Sequence, residues 1–180
     1  MIDYLYICVL NHYAMSQYYV YINLEPYLEQ WLINQFGHDG AVRFPRGSAE
    51  NDILEYSLAT RPVDASPQLK TSDSLAVEIP FFKTKDPRYY NFLPPRAKKA
   101  LERTIYIRFR IELWQELHSF DSLSHNLSDL IWTFMEKHAI ADDPKSWETI
   151  RQMYFRMRKT YNKNQQRKAT SSTDKLNNAV

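Results

Sequence analysis

A chain of 180 residues that is 44% hydrophobic, with 13 Tyr, 9 Phe and 4 Trp, has enough apolar surface for one domain or two small ones. Only three glycines occur, which excludes the glycine-rich phosphate loops of P-loop and dinucleotide-binding proteins. The formal net charge is +2, so a binding face for a polyanion must come from charge segregation; the single cysteine, Cys8, excludes an internal disulfide and a cysteine metal knuckle and suits a reducing cytoplasm.

Residues 1–14 lack a basic leader and carry Asp3, and their apolar run from Tyr4 to Leu10 is far too short to span a bilayer. They read as an upstream extension from an alternative start, or as a buried first strand. Gln17 to Asn23 reads as a strand, because Tyr18, Tyr19, Val20, Tyr21 and Ile22 are aromatic or β-branched. A helix follows, with Pro26 in its first turn, Leu28, Trp31, Leu32 and Phe36 at helical spacing, and Gly37 at its end. Ala41 to Phe44 fits a short strand, and Ser48 caps a second helix whose apolar side is Ile53, Leu54 and Leu58. Arg61 to Ser74, with Pro62 and Pro67, is a loop. Leu75 to Phe82 is a strand, and Pro80 within it points to a sheet edge. Residues 15–82 are therefore expected to form a small α+β unit, and residues 83–94, with Asp86-Pro87 and Pro94-Pro95, a linker.

From Arg96 to Lys163 the chain has no glycine and only Pro144. Ile105, Ile107, Phe109, Ile111 and Leu113 alternate with polar neighbours, a strand pattern over Thr104 to Trp114. The same stretch lies in an i, i+4 row of Ala97, Leu101, Ile105, Phe109, Leu113 and Leu117 between strong helix formers, so one long helix from Pro95 towards Phe120 is favoured. Asp121 to Ser124 turns the chain. The next helix carries Leu127, Leu130, Ile131, Phe134, Met135 and His138 on one face, and Asp143 and Pro144 open the last one. Its apolar seam is Trp147, Ile150, Tyr154, Met157 and Tyr161, with Trp147 expected to anchor on Ile131 and Phe134. Residues 95–163 are expected to form a three-helix domain, and residues 164–180, polar and without periodicity, a disordered tail.

The functional signal lies in that last helix. Off the seam it is basic, with Arg151, Arg156, Arg158, Lys159 and Lys163, and no acid follows Glu148 until Asp174. A short helix, a turn plugged by Ile140 and a basic amphipathic helix match the layout of a helix-turn-helix. In that reading Gln152, with Arg151 or Arg156, reaches base edges, and Lys159 and Lys163 contact phosphates of duplex DNA. The competing reading is a three-helix bundle with a solvated outer face. A second basic stretch runs from Lys83 to Arg110; there Arg96, Lys98 and Lys99 are candidate phosphate contacts, while Tyr89, Tyr90 and Phe92 are expected to pack the linker.

Enzyme readings lack a complete constellation. His118, Asp121, His125 and Asp129 have helical spacing but straddle a turn, and Asp64, Asp73, Glu78 and Lys83 lack the acid-x-Lys spacing of a metal-dependent nuclease. No catalytic residue, metal or cofactor is assigned.

Asp129-Leu-Ile-Trp-Thr-Phe-Met-Glu-Lys-His-Ala-Ile140, Ser146-Trp-Glu-Thr-Ile-Arg-Gln-Met-Tyr-Phe-Arg-Met-Arg-Lys159 and Arg108-Phe-Arg-Ile-Glu-Leu-Trp114 resemble the C-terminal region of an uncharacterised family carried on phage-like and conjugative elements. The resemblance covers residues 95–163. It implies a mobile-element protein and favours DNA binding, and it transfers no catalytic residue. The expectation is a non-enzymatic, cytoplasmic nucleic-acid-binding or regulatory protein. Its alternative is an assembly protein whose basic helix meets an acidic protein partner.

Overall fold

The computed structural model describes residues 18–66, 70–121 and 126–177. The expectations for residues 1–14 (Cys8 included), for the turn at 122–124 and for His125 lie outside those residues. The chain is mixed α+β and divides into two compact units, Met1–Ile107 and Arg108–Val180.

In the first unit, strand β1 is Tyr19–Ile22 and helix α1 is Pro26–Phe36, which buries Tyr27, Leu28, Trp31 and Leu32. α1 ends at Gly37, whose backbone is extended (φ −67°). A Cβ there would stand 2.4 Å from the Ile33 carbonyl oxygen, so close approach, not a left-handed φ, demands glycine. Strands β2 (Gly37–His38) and β3 (Ala41–Val42) form a hairpin around Asp39 (φ 48°) and Gly40 (φ 80°). Asp-Gly with both φ angles positive is the two-residue turn whose twist suits a hairpin. Helix α2, Ala49–Ser57, is capped as expected: the Ser48 hydroxyl accepts from Asn51 N–H at 3.2 Å.

Strand β4 is Leu75–Glu78, and the sheet order is β1-β4-β3-β2. β4 pairs antiparallel with β1 (Tyr19 opposite Glu78) and parallel with β3 (Val42 opposite Val77), and its four residues are buried. The expectation of a sheet edge is thus corrected: β4 is an inner strand. Ile79 N–H still donates to Tyr18 O at 2.9 Å, and Pro80 lies past the last ladder bond, where its missing N–H costs nothing. At the end of β4 the Glu78 carboxylate takes both arms of Arg43 (Nε–Oε2 2.7 Å, Nη2–Oε1 2.9 Å).

Residues 83–94 are pinned rather than free. Ala59 and Phe92 exchange two backbone hydrogen bonds (3.0 and 3.1 Å), and Lys85 Nζ donates to the Tyr56 and Leu58 carbonyls at the end of α2 (3.0 and 2.7 Å). A cation there satisfies carbonyls the helix leaves open.

Helix α3 is Pro95–Asp121, so the helical reading of Thr104 to Trp114 holds. Leu101, Ile105, Phe109 and Leu113 are fully buried and Leu117 nearly so, while Ile107 and Ile111 of the alternating pattern are 43% and 53% exposed. The boundary between the units falls within this helix. In the second unit, helix α4 (Leu127–Lys137) is capped by the Asn126 side chain, which accepts from Ser128 N–H at 3.1 Å. Helix α5 (Pro144–Asn177) is capped by Asp143, whose Oδ1 accepts from Lys145 and Ser146 N–H at 2.9 Å each. A hydrogen bond from the Ser146 side chain first, then the N–H bonds of Ser146 and Lys145, hold the Asp143 carboxyl below the ordinary range.

α5 continues beyond Lys163, where the sequence reading places a disordered tail. Residues 164–177 contain neither Gly nor Pro, and Gln, Arg, Lys and Ala favour the helix. The core of this unit is Phe109, Leu113, Ile131, Phe134, Met135, Ile140, Ile150 and Tyr154. Phe109 and Phe134 meet edge to face at 5.8 Å. No helix among the described residues is long and apolar enough to cross a membrane.

Candidate nucleic-acid interface

The seam of α5 sets what its opposite face can show. Ile150 and Tyr154 are fully buried as expected, and Met153 joins them at 7% exposure. Met157 is half-buried, and Tyr161, 39% exposed, leans on Trp114 and His118 (ring centres 5.3 and 5.0 Å).

Trp147 is not the core anchor. It is half-buried and stacks on Trp132 (5.8 Å, 21° between planes), which is itself 37% exposed. Buried Ser146 occupies the first turn on the core side, so Trp147 lies at the edge of the apolar stripe. Its indole Nε1 is enclosed without a hydrogen-bond partner among the described residues.

From Trp147 outward, Arg151, Phe155, Lys159 and Lys163 follow at four-residue steps and share one face of the helix. The Arg151 guanidinium lies 5.4 Å from the ring centres of both Trp147 and Phe155, so it is held between two aromatic faces. Phe155 is 42% exposed. Further along, Phe155, Arg158, Lys159, Asn162, Lys163 and Gln166 line, among the described residues, an open concavity of about 600 Å³. At 1.5 Å per residue, Trp147 to Lys163 covers roughly 24 Å.

The predicted contacts differ in availability. Arg151 is ion-paired to Glu148, the acid three residues before it (Nε–Oε2 2.8 Å, Nη2–Oε1 2.9 Å). Gln152 Nε2 donates to the same carboxylate at 2.9 Å and its Oε1 accepts from Arg156 Nη2 at 3.3 Å. Two of the three candidate base readers are thus tied to Glu148, and the third is tied to Gln152. The Arg151 and Gln152 bonds, in that order, push the Glu148 carboxyl down to about 2. Lys159 and Lys163 are exposed, and Arg158 is half-buried beside them. Arg96, Lys98 and Lys99 sit in the first turns of α3, in the other compact unit, where no acid offsets the positive end of the helix dipole.

In the second basic stretch Arg88 is bonded to Asp86 and Lys85 closes α2, so both serve the local fold. Tyr90 and Phe92 are half-buried, as expected of packing residues, whereas Tyr89 is 65% exposed. Glu78, considered above for a nuclease centre, is committed to Arg43.

A different trio converges in the second unit. Glu112 and Glu116, one turn apart on α3, face the buried imidazole of His138 at the end of α4. His138 Nε2 lies 3.1 Å from Glu116 Oε1 and 3.7 Å from Glu112 Oε1. The sequence reading placed its metal candidates on other residues and missed this one. Glu-x-x-x-Glu was visible as an i, i+4 pair, but nothing local tied it to a histidine across a turn.

Comparison with protein-family models, with curated proteins and with solved structures finds no match to this chain.

Proposed function

We propose that the chain is a non-enzymatic nucleic-acid-binding protein, of the kind carried by phage-like and conjugative mobile elements, and that the outer face of α5 is its interface. The observation that carries this reading is the run of Arg158, Lys159 and Lys163 around one open concavity, on a helix face with no acid between Glu148 and Asp174. Clustered cations without interspersed acids suit a regular polyanion, and phosphates recur along both strands of a duplex at spacings one helix can follow. A helix about 10–12 Å wide also fits the major groove, so duplex DNA is the first ligand to test. In this reading α4, the turn plugged by Ile140 and α5 act as a helix-turn-helix, with phosphate contacts outweighing base contacts. That emphasis follows from the bonds tying Arg151, Gln152 and Arg156 to one another and to Glu148.

The test is fluorescence anisotropy with duplex, single-stranded and RNA probes over a salt series. With three or four phosphates engaged, the slope of log affinity against log salt should be about −3 on duplex DNA. Absence of binding to all three probes at low salt removes the reading. An acidic protein recovered in a pull-down, and lost on replacing Lys159 and Lys163, puts the assembly role in its place.

A further inference from the structure

We propose that Glu112, Glu116 and His138 form a binding site for a divalent first-row transition metal, with zinc the ion that this donor set and spacing fit. Their candidate ligand atoms all lie within 4.8 Å of one another. Two donors about 2.0–2.1 Å from a tetrahedral zinc stand roughly 3.3 Å apart. The two distances from His138 Nε2, 3.1 Å to Glu116 and 3.7 Å to Glu112, straddle that edge length.

The imidazole is held where a ligand must be held. Its side chain is 3% exposed, its ring lies 4.4 Å from that of Phe134, and its backbone N–H donates to Phe134 O at 3.1 Å. The carboxylates are 28% and 22% exposed, so an ion can enter from their side while the histidine forms the floor.

A hydrogen-bonded, ion-paired cluster without metal is the competing account, and titration with the metal separates the two. One Nε2 proton serves one acceptor, and Glu116 is the one within hydrogen-bond length. Glu112 converges on the same nitrogen from 3.7 Å, an arrangement suited to a shared cation at the centre. Lys137 Nζ donates to Glu116 Oε1 at 2.7 Å, but its side chain is 60% exposed. An exposed ion pair on a flexible stem is easily given up to a divalent ion. Three protein donors leave one position for water. The bound ion would link the middle of α3 to the end of α4, just before Ala139 (φ 52°) and the Ile140 plug.

The experiment is calorimetric titration of the metal-stripped full chain with zinc chloride, repeated with Co²⁺ to read d–d absorption of a low-coordinate ion. Wild type should bind one ion per chain saturably, with a rise in thermal midpoint. Glu112→Gln and Glu116→Gln should each weaken binding at least tenfold while leaving the far-ultraviolet circular dichroism unchanged. Lys137→Met should tighten it, because a competitor for Glu116 is gone. His138→Gln should abolish it; if that buried change unfolds the chain, the two glutamate variants decide. No saturable binding by wild type, or binding within twofold of wild type in both glutamine variants, overturns the proposal.

Discussion

Arg151 stands on the outer face of α5 already neutralised: its Nε and Nη2 are both bonded to Glu148, one helical turn back. The two aromatic rings flanking the guanidinium hold it in place. Glu148→Gln should release this cation and remove the only acid on its stretch of the helix. The salt slope on duplex DNA should then steepen by about one, near 0.9 per added phosphate contact. An unchanged slope in the anisotropy series would show that Arg151 stays with its rings.

Lys159 and Lys163 lie off the buried seam, so replacing both with Ala should leave the fold intact. The salt slope should fall by about two, and affinity should drop uniformly across sequences. Gln152→Ala should leave the slope alone. Any change in sequence preference it causes would identify a base contact made at the expense of the Glu148 bond.

Trp147→Phe should be neutral or stabilising, because it keeps the ring against Trp132 and deletes an enclosed donor that has no partner among the described residues. Trp147→Ala should cost only about 1–2 kcal/mol, the loss of one partly buried aromatic pair. Phe109→Ala, in the core against Phe134, should cost about 3–5 kcal/mol. Urea titrations of the three variants rank these directly.

The Glu148 carboxyl should titrate near 2 in the folded chain, against 4.5 for its ordinary value. Its folded value is depressed, so its contribution is complete above the unfolded value and is lost as pH falls from about 4.5 through about 2. Carbon-13 detection of labelled glutamate side chains measures this midpoint, which should move up in Arg151→Ala.

The helix at Thr104 to Trp114 was legible, though not from its own residues. Alternation at two and a row at four coincide on Ile105, Phe109 and Leu113, and only the flanking helix formers separate them. The place of β4 was less legible, because Pro80 was weighed as part of a strand that ends at Glu78. The hairpin at Asp39-Gly40 is absent from the sequence reading, although Asp-Gly is the turn signal for it. Period places Ile150 and Tyr154 of α5 in the core, but it does not separate the centre of a stripe from its edge, so it sets Trp147 one step too deep, leaves out Met153 and includes the exposed Tyr161. The pairing of Glu148 with Arg151 was readable as an i, i+3 contact. The meeting of Glu112 and Glu116 with His138 depends on how a turn of the chain folds back, and no local pattern carries that.

The inner position of β4 also dictates a timetable. Among the described residues β1 pairs only with β4, and the β2–β3 hairpin joins β4 through Val77, so neither meets its inner partner until residue 78 exists. During synthesis, β1 must wait for most of its unit with its ladder groups satisfied by water, whereas the hairpin of β2 and β3 can close at once. Closing so long a loop is slow, whereas α4 and α5 draw on neighbours close in sequence. Pulse-labelled amide exchange during refolding should therefore protect Ile150 to Tyr154 before Val20 and Ile22, and the reverse order would show that β1 finds its partner unaided.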